Sequence, residues 1–491
     1  MTGKGEVMHR LLLAMSAVLA ILLGTPLPTT ATPGADDLAD DPLTSFIQRN
    51  GGGGNGDGTK AGQVQNNGAI SNLEVIAHND IGNRGFNADI YAHKGFAYVG
   101  QWGFGISNFP KFCPSGDKSG VKVLDLRAPG LPIVATLQNP PRTSAEDIVV
   151  YTTAGRDIAA VGIQACFRTD NLIPRGLQLF DVTDPRHPVA KGFLPSGDNI
   201  RGVHELSIVN RPDLGMVLAL QGVNFSETYD AAHRGGLRIA NVTDPSNPVE
   251  IGNWSLASVG VTNQFTGVGC FARTYVHAVS ASRDGATAYV SAIDGGELLV
   301  DITAPSAPAF LRRAAYPADQ AGDMDTHSST ETPDARYLLV EDEDECQSND
   351  SKQQPGWGFL RIFDLASRDA AGSLVQVGEF RTQNSLKSKV SNGLYSVHHT
   401  AVNATWGGSS KVAVSWYSDG VRILDLTPVR TGSSRIPAET AFFVPPAAND
   451  PVGSCACLGN SAFVWGVVVT DDGLIVISDM NSGVWVLRET R

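Results

Sequence analysis

Short runs in which apolar and polar residues alternate recur along most of the chain, separated by turns rich in Gly, Asp and Pro. Alternation with period two predicts half-buried β-strands, and one larger unit repeats. It consists of a Gly, an alternating strand ending in Asp or Asn, a Thr-x-Pro turn, and a second short strand. The clearest copies are GLQLFDVTDPRHPVAKG from Gly176 and GLRIANVTDPSNPVEIG from Gly236. Others start at Gly120 (GVKVLDLRAPGLPIV), Gly296 (GELLVDITAPSAPAF), Phe359 (FLRIFDL), Gly420 (GVRILDL) and Gly483 (GVWVLRE), so successive starts fall 56 to 63 residues apart. Each interval holds two more strand-like runs, such as ATAYVSAID and KVAVSWYSD. Four strands per repeat, seven times over, predicts an all-β fold: a seven-bladed β-propeller.

If each blade opens with its innermost strand, the inner strands start near Asp89, Asp147, His204, His277, His327, His399 and Trp465, and the Gly-led motif is the third strand. The seventh blade then stops short of its outer strand. LEVIAHN, Leu73 to Asn79, has the pattern to supply it and close the ring, which would protect the edges that an open sheet exposes. In this register the turns after first and third strands are short, as in TDPRHP. Nearly all the extra chain lies in the connections after second and fourth strands, on one face, where binding sites usually sit.

GLQLFDVTDP and GLRIANVTDP resemble the LVIVD repeats of exported or surface proteins of bacteria and archaea, over most of the chain from Leu73 to Arg491. The resemblance implies the propeller architecture and carries no particular chemistry.

Composition narrows the function classes. Of 491 residues 18% are charged, below the roughly 25% of average globular proteins, and there are 53 Gly. The net charge of -13 argues against nucleic acid as a partner, because phosphate neutralisation needs a basic face. Lys4, His9 and Arg10 precede an apolar run over 11–23 and then Pro26, Pro28 and small residues to Ala31. That run is too short to span a bilayer and reads as a signal peptide, residues 1–31. A flexible acidic and Gly-rich leader, 32–70, is expected to follow, and the propeller to occupy 71–491. No Cys follows the apolar run and no second long apolar segment occurs, so the protein is expected to be secreted or extracytoplasmic, either free or associated with the cell surface, without a transmembrane segment and monomeric. An exported chain with six cysteines suggests disulfides; 15 pairings exist, and Cys113 with Cys166, in equivalent loops of neighbouring blades, is the first choice.

Five of the histidines, His204, His277, His327, His398 and His399, fall at the entrance of the inner strand in four consecutive blades. Those entrances converge on the mouth of the central channel. Neutral imidazoles meeting there suit one divalent transition metal, Zn, Fe, Cu, Mn or Ni. Strand alternation predicts that only one of His398 and His399 points inward. Glu205 and the acidic run at 341–345 are expected near the same face. The competing expectation is structural: Asp or His at an inner-strand entrance hydrogen-bonding loop backbone of the adjoining blade, the role suggested for Asp89 and Asp147. The chain has no G-x-S-x-G elbow, P-loop or H-E-x-x-H. Three functions follow: a propeller binding a small molecule beside a metal, a mononuclear metalloenzyme (oxygenase or lyase) on an extracellular substrate, or a surface scaffold for another protein or a cell-wall polymer.

Overall fold

A computed structural model of the chain describes residues 68–105, 113–197, 200–224, 226, 234–262, 274–316, 324–344, 358–386, 393–448 and 461–490. The expected signal peptide, the leader up to 67, and Cys270, Cys346, Cys455 and Cys457 lie outside the described residues.

Among the described residues the strands form seven antiparallel four-stranded units, the last of which takes one strand from the start of the chain. Blade 1 is Asn87–His93, Phe96–Gln101, Val121–Asp125 and Ile133–Leu137; blade 2 is Thr143–Thr153, Arg156–Ala165, Gly176–Asp181 and Val189–Pro195. Blade 3 is Leu206–Arg211, Met216–Gly222, Leu237–Asn241 and Val249–Trp254; blade 4 is Tyr275–Ala281, Thr287–Ile293, Gly296–Asp301 and Ala309–Arg313. Blade 5 is Thr326–Glu331, Tyr337–Asp342, Phe359–Arg368 and Leu374–Phe380; blade 6 is Thr400–Ala401, Lys411–Ser415, Val421–Asp425 and Ala438–Val444. Blade 7 takes Val464–Val469, Ile475–Asp479 and Gly483–Glu489 from the end of the chain and Leu73–Asn79 from its beginning, with Leu73 opposite Glu489 and Asn79 opposite Val484. Each first strand packs beside the first strand of the next blade, and Val464–Val469 returns to Asn87–His93, so the ring closes as the sequence predicts. Blades 1 and 2 also share one backbone pair, Gln101 with Ala145. Residues 69 and 70, assigned above to the leader, belong to a further short strand, Ala69–Ser71, which pairs with Ala438–Val444 at the rim of blade 6.

The repeated motif has a local physical cause. The Asp or Asn closing the third strand turns its side chain onto the backbone two residues ahead: Asp181 Oδ1 accepts from Thr183 N at 3.1 Å and its hydroxyl at 2.7 Å. Asn241 does the same with Thr243 (3.0 and 2.7 Å) and Asp301 with Thr303 (2.8 and 2.6 Å). Such side-chain turns stop the strand and aim the Pro-containing hairpin. In the outer strand Gly192 lets that hairpin of the next blade dock, donating its N–H to Pro245 O at 2.8 Å. Between blades the cores are continuous: Leu177 and Leu179 of blade 2 pack with Leu206, Val217 and Ala240 of blade 3. Cys113 and Cys166 are disulfide-bonded, joining the long loops of blades 1 and 2. Among the described residues, no helix is long and apolar enough to cross a membrane.

Candidate metal centre

The five predicted histidines stand at one end of the ring. His204 lies two residues ahead of Leu206–Arg211, His277 and His327 lie within the first strands of blades 4 and 5, and His398 and His399 immediately precede Thr400–Ala401. The strand register breaks at these positions. In blade 4 the shift falls between Val276 and Ala278 and in blade 5 between Thr326 and Ser328, leaving His277 and His327 as extra, unpaired residues. Equivalent shifts bracket Asp89, Glu146 with Asp147, and Trp465 in blades 1, 2 and 7. A β-bulge re-aims one side chain out of the pleat, so five blades use the same device at the same level.

The imidazoles form a chain of contacts around the mouth. Ring centroids are 4.3 Å apart from His204 to His277, 4.1 Å from His277 to His327, 4.2 Å from His327 to His398, and 4.3 Å from His398 to His399. His204 Nε2 lies 2.8 Å from His277 Nε2, and its Nδ1 lies 2.7 Å from Glu146 Oε2. Glu205 occupies the middle. Its Oε1 is 3.3 Å from His399 Nε2, 3.5 Å from His327 Nε2 and 3.7 Å from His277 Nδ1. His399 Nε2 is also 3.1 Å from Asp89 Oδ1, and His327 Nε2 is 3.8 Å from Glu343 Oε2. Three groups bring their ligand atoms within 4.8 Å of one another: His327, His398 and His399; His204, Glu205 and His277; Asp89, Glu205 and His399.

Burial sets the electrostatics. Desolvation, helped by repulsion among the rings, holds His204, His327 and His398 well below the ordinary imidazole range, and desolvation first, then His399, brings His277 down to about 3. His399 goes the other way. Desolvation opposes its protonation, but Glu205 and Asp89 outweigh that cost and hold it well above the ordinary range. Burial, with Asp89 and Glu205 adding to it, drives the Asp147 carboxyl well above the ordinary carboxylate range. Four neutral imidazoles and two carboxylates around a fifth ring are donors ready for a cation.

Three expectations need correction or division. Both His398 and His399 approach His327, at 4.2 and 4.9 Å between centroids, because they precede the regular strand, where alternation does not apply. His398 is tied down by Nδ1 to Trp465 O of blade 7 at 2.9 Å, which is the structural role weighed above. Asp147 fills the structural role too, accepting from Leu206 N of blade 3 at 2.6 Å. Asp89 does not: its Oδ1 faces His399 and its Oδ2 has no hydrogen-bond partner. Of the acidic run, Glu341 reaches Ser328 Oγ at 3.1 Å, and Glu343 accepts from the Tyr417 hydroxyl and approaches His327. Asp342 instead pairs with Arg361 (Nε to Oδ2, 2.8 Å), away from the rings, and Glu345 lies outside the described residues. Sequence reasoning missed Tyr417 and Ser328; the hydroxyl of Ser328 lies 2.9 Å from His327 Nδ1 and 3.2 Å from His399 Nδ1.

The LVIVD repeat family matches residues 278–314, which run from the first strand of blade 4 to the end of its fourth. No curated protein matches the sequence. Among solved structures, the chain is similar to the β-propeller domain of Cps50 (Swd1) from Myceliophteria thermophila, with 12% identity over 86% of this chain and 100% of that one and a TM-score of 0.44. The periplasmic gluconolactonase PpgL of Pseudomonas aeruginosa aligns at 11% identity over 75% of this chain and 87% of that one, TM-score 0.48. Raptor of Chaetomium thermophilum aligns at 9% identity over 92% of this chain and 30% of that one, TM-score 0.48. The propeller assignment rests on strand order and ring closure, and the LVIVD repeat matched at residues 278–314 lies in blade 4 of that propeller.

Proposed function

We propose that this is an exported propeller that holds divalent transition metal among His204, His277, His327, His398, His399 and Glu205, and binds its ligand beside that metal on the long-loop face. The observation that carries the reading is the position of Glu205 Oε1, 3.3 to 3.7 Å from ring nitrogens of three histidines on three blades. Those separations exceed an ordinary N–H···O bond of roughly 2.7–3.2 Å. They match the edges of a coordination polyhedron: donors each about 2.1 Å from a tetrahedral ion stand about 3.4 Å apart. His277 Nδ1 also has no hydrogen-bond partner although it is buried, a cost a protein seldom bears for packing alone.

Such an ion, when bound with open positions, polarises an oxygen ligand. The chain's own groups orient the donors. Glu146 Oε2 lies 2.7 Å from His204 Nδ1, on the side away from Nε2, and the Ser328 hydroxyl meets His327 Nδ1 at 2.9 Å in the same way. Export is supported by the Cys113–Cys166 disulfide, which persists in oxidising compartments. Elemental analysis of the purified protein tests the reading, with His277→Ala/His327→Ala as comparison. Stoichiometric metal in the wild type and loss of most of it in the double variant are expected; equal metal content in both would overturn the site, and a metal-free wild type would favour a scaffold.

A further inference from the structure

Resting on that reading, we infer that the centre takes two ions, with Glu205 bridging them. Five imidazoles together with Glu205 and Asp89 crowd one mouth, while a single first-row ion accepts about four to six ligands and must leave one position open to act on anything. The donors also divide spatially. One complete triad is His204, His277 and Glu205, from blades 3 and 4. Another is Asp89, His399 and Glu205, from blades 1, 3 and 6, with His327 between the two. A third group, His327, His398 and His399, shares His399 with the second triad, and Glu205 is the residue common to the first two. Its carboxylate therefore stands where a two-metal centre needs a bridge, since ions in such centres sit about 3.5–4 Å apart, a separation a carboxylate can bridge with one oxygen on each ion.

The surroundings of the two halves differ. Glu146 lies on the outer nitrogen of His204, 2.7 Å from Nδ1, and raises the basicity of that half. On the other half Asp89 brings a second carboxylate directly to His399, and its Oδ2 has no hydrogen-bond partner although the residue is 6% exposed. Glu146 would serve a mononuclear site equally well; it is the unpartnered Asp89 oxygen beside His399 that one ion among the five rings leaves unused.

Counting ions on the full chain tests this. The protein is stripped with a chelator, reloaded with Mn(II), desalted, and measured for manganese per chain and by electron paramagnetic resonance. Two ions per chain with an exchange-coupled multiline signal are expected, falling to a single isolated ion in Asp89→Asn/His399→Ala. One ion per chain in the wild type, with an isolated six-line signal, would overturn the bridged pair while leaving the metal reading intact. No bound manganese, nor zinc or copper on the same protocol, would overturn both.

Discussion

Glu297 offers a sharp test of how this ring is held together. In the third strand the second position of the motif is aliphatic in the other copies (Val121, Leu177, Leu237, Leu360, Val421 and Val484), yet blade 4 places a carboxyl there, fully buried. Ser291 Oγ donates to Oε2 at 2.7 Å, and Ser329 Oγ of blade 5 donates to Oε1 at 3.1 Å. Burial outweighs these bonds and lifts the carboxyl from 4.5 to about 8. Between those two values the folded chain keeps a proton that the unfolded chain has released. Native protein therefore binds more protons than denatured protein, and stability falls as pH rises through that window. The loss attributable to this one group is below 1 kcal/mol at about pH 5 and about 3 kcal/mol at pH 7, a difference of about 2 to 3 kcal/mol.

Glu297→Gln removes the titration and keeps an amide that both serines can satisfy. Urea unfolding of both proteins, with a chelator present so that metal does not contribute, gives stability at each pH from 5 to 8. The variant's curve should separate from the wild type's by about 2 to 3 kcal/mol between pH 5 and 7, whatever constant offset the amide introduces. Glu341, also raised to about 8, is present in both chains and cancels. Curves that stay parallel would refute the buried, protonated carboxyl.

Deleting Leu73–Asn79 strips the outer strand from blade 7 and opens the ring at Gly483–Glu489, so the whole transition should move to lower temperature by several degrees; an unchanged melting temperature would contradict the closure. Replacing Cys113 and Cys166 together by Ala releases a cross-link spanning 53 residues, worth about 4 kcal/mol by loop entropy, and the urea midpoint should fall accordingly. Gly222 sits where a Cβ would meet His277 O at 2.4 Å, so Gly222→Ala should cost about 1–3 kcal/mol and reduce metal content as His277 shifts. Wild-type metal content in that variant would mean His277 is not held by this contact.

The ring was legible because its information is local and repeated. A side-chain turn such as Asp181 to Thr183 needs only two residues in register, and seven approximate copies reinforce one another. The closing strand was legible for the complementary reason: blade 7 runs out of chain, and LEVIAHN has the right alternation. Ala69–Ser71 was not, since three residues give too little alternation to separate from a leader, and their pairing with Phe442–Val444 is fixed by proximity to the blade 6 rim.

The site was legible in its residue types and less so in its ligand geometry. Histidines recurring at one strand position say that imidazole belongs there, but alternation assigns direction only while the register holds, and it breaks at His277 and His327 themselves. Glu205 illustrates the limit: adjacent to His204 in sequence, it reads as an outer acid, yet it reaches rings contributed by blades 4, 5 and 6. A residue's partners across a propeller mouth come from chain up to 194 positions away in this case, His399 from Glu205, and no periodicity connects them. What ties them together is charge. Burial keeps His204, His277, His327 and His398 neutral, so they place no positive charge at the mouth and lose no proton on taking a cation. Glu205 and Asp89 face the one ring of the five held well above the ordinary imidazole range, His399. In the proposed centre a cation held between them would replace the positive charge that His399 otherwise supplies, so metal binding would compete with that ring's proton.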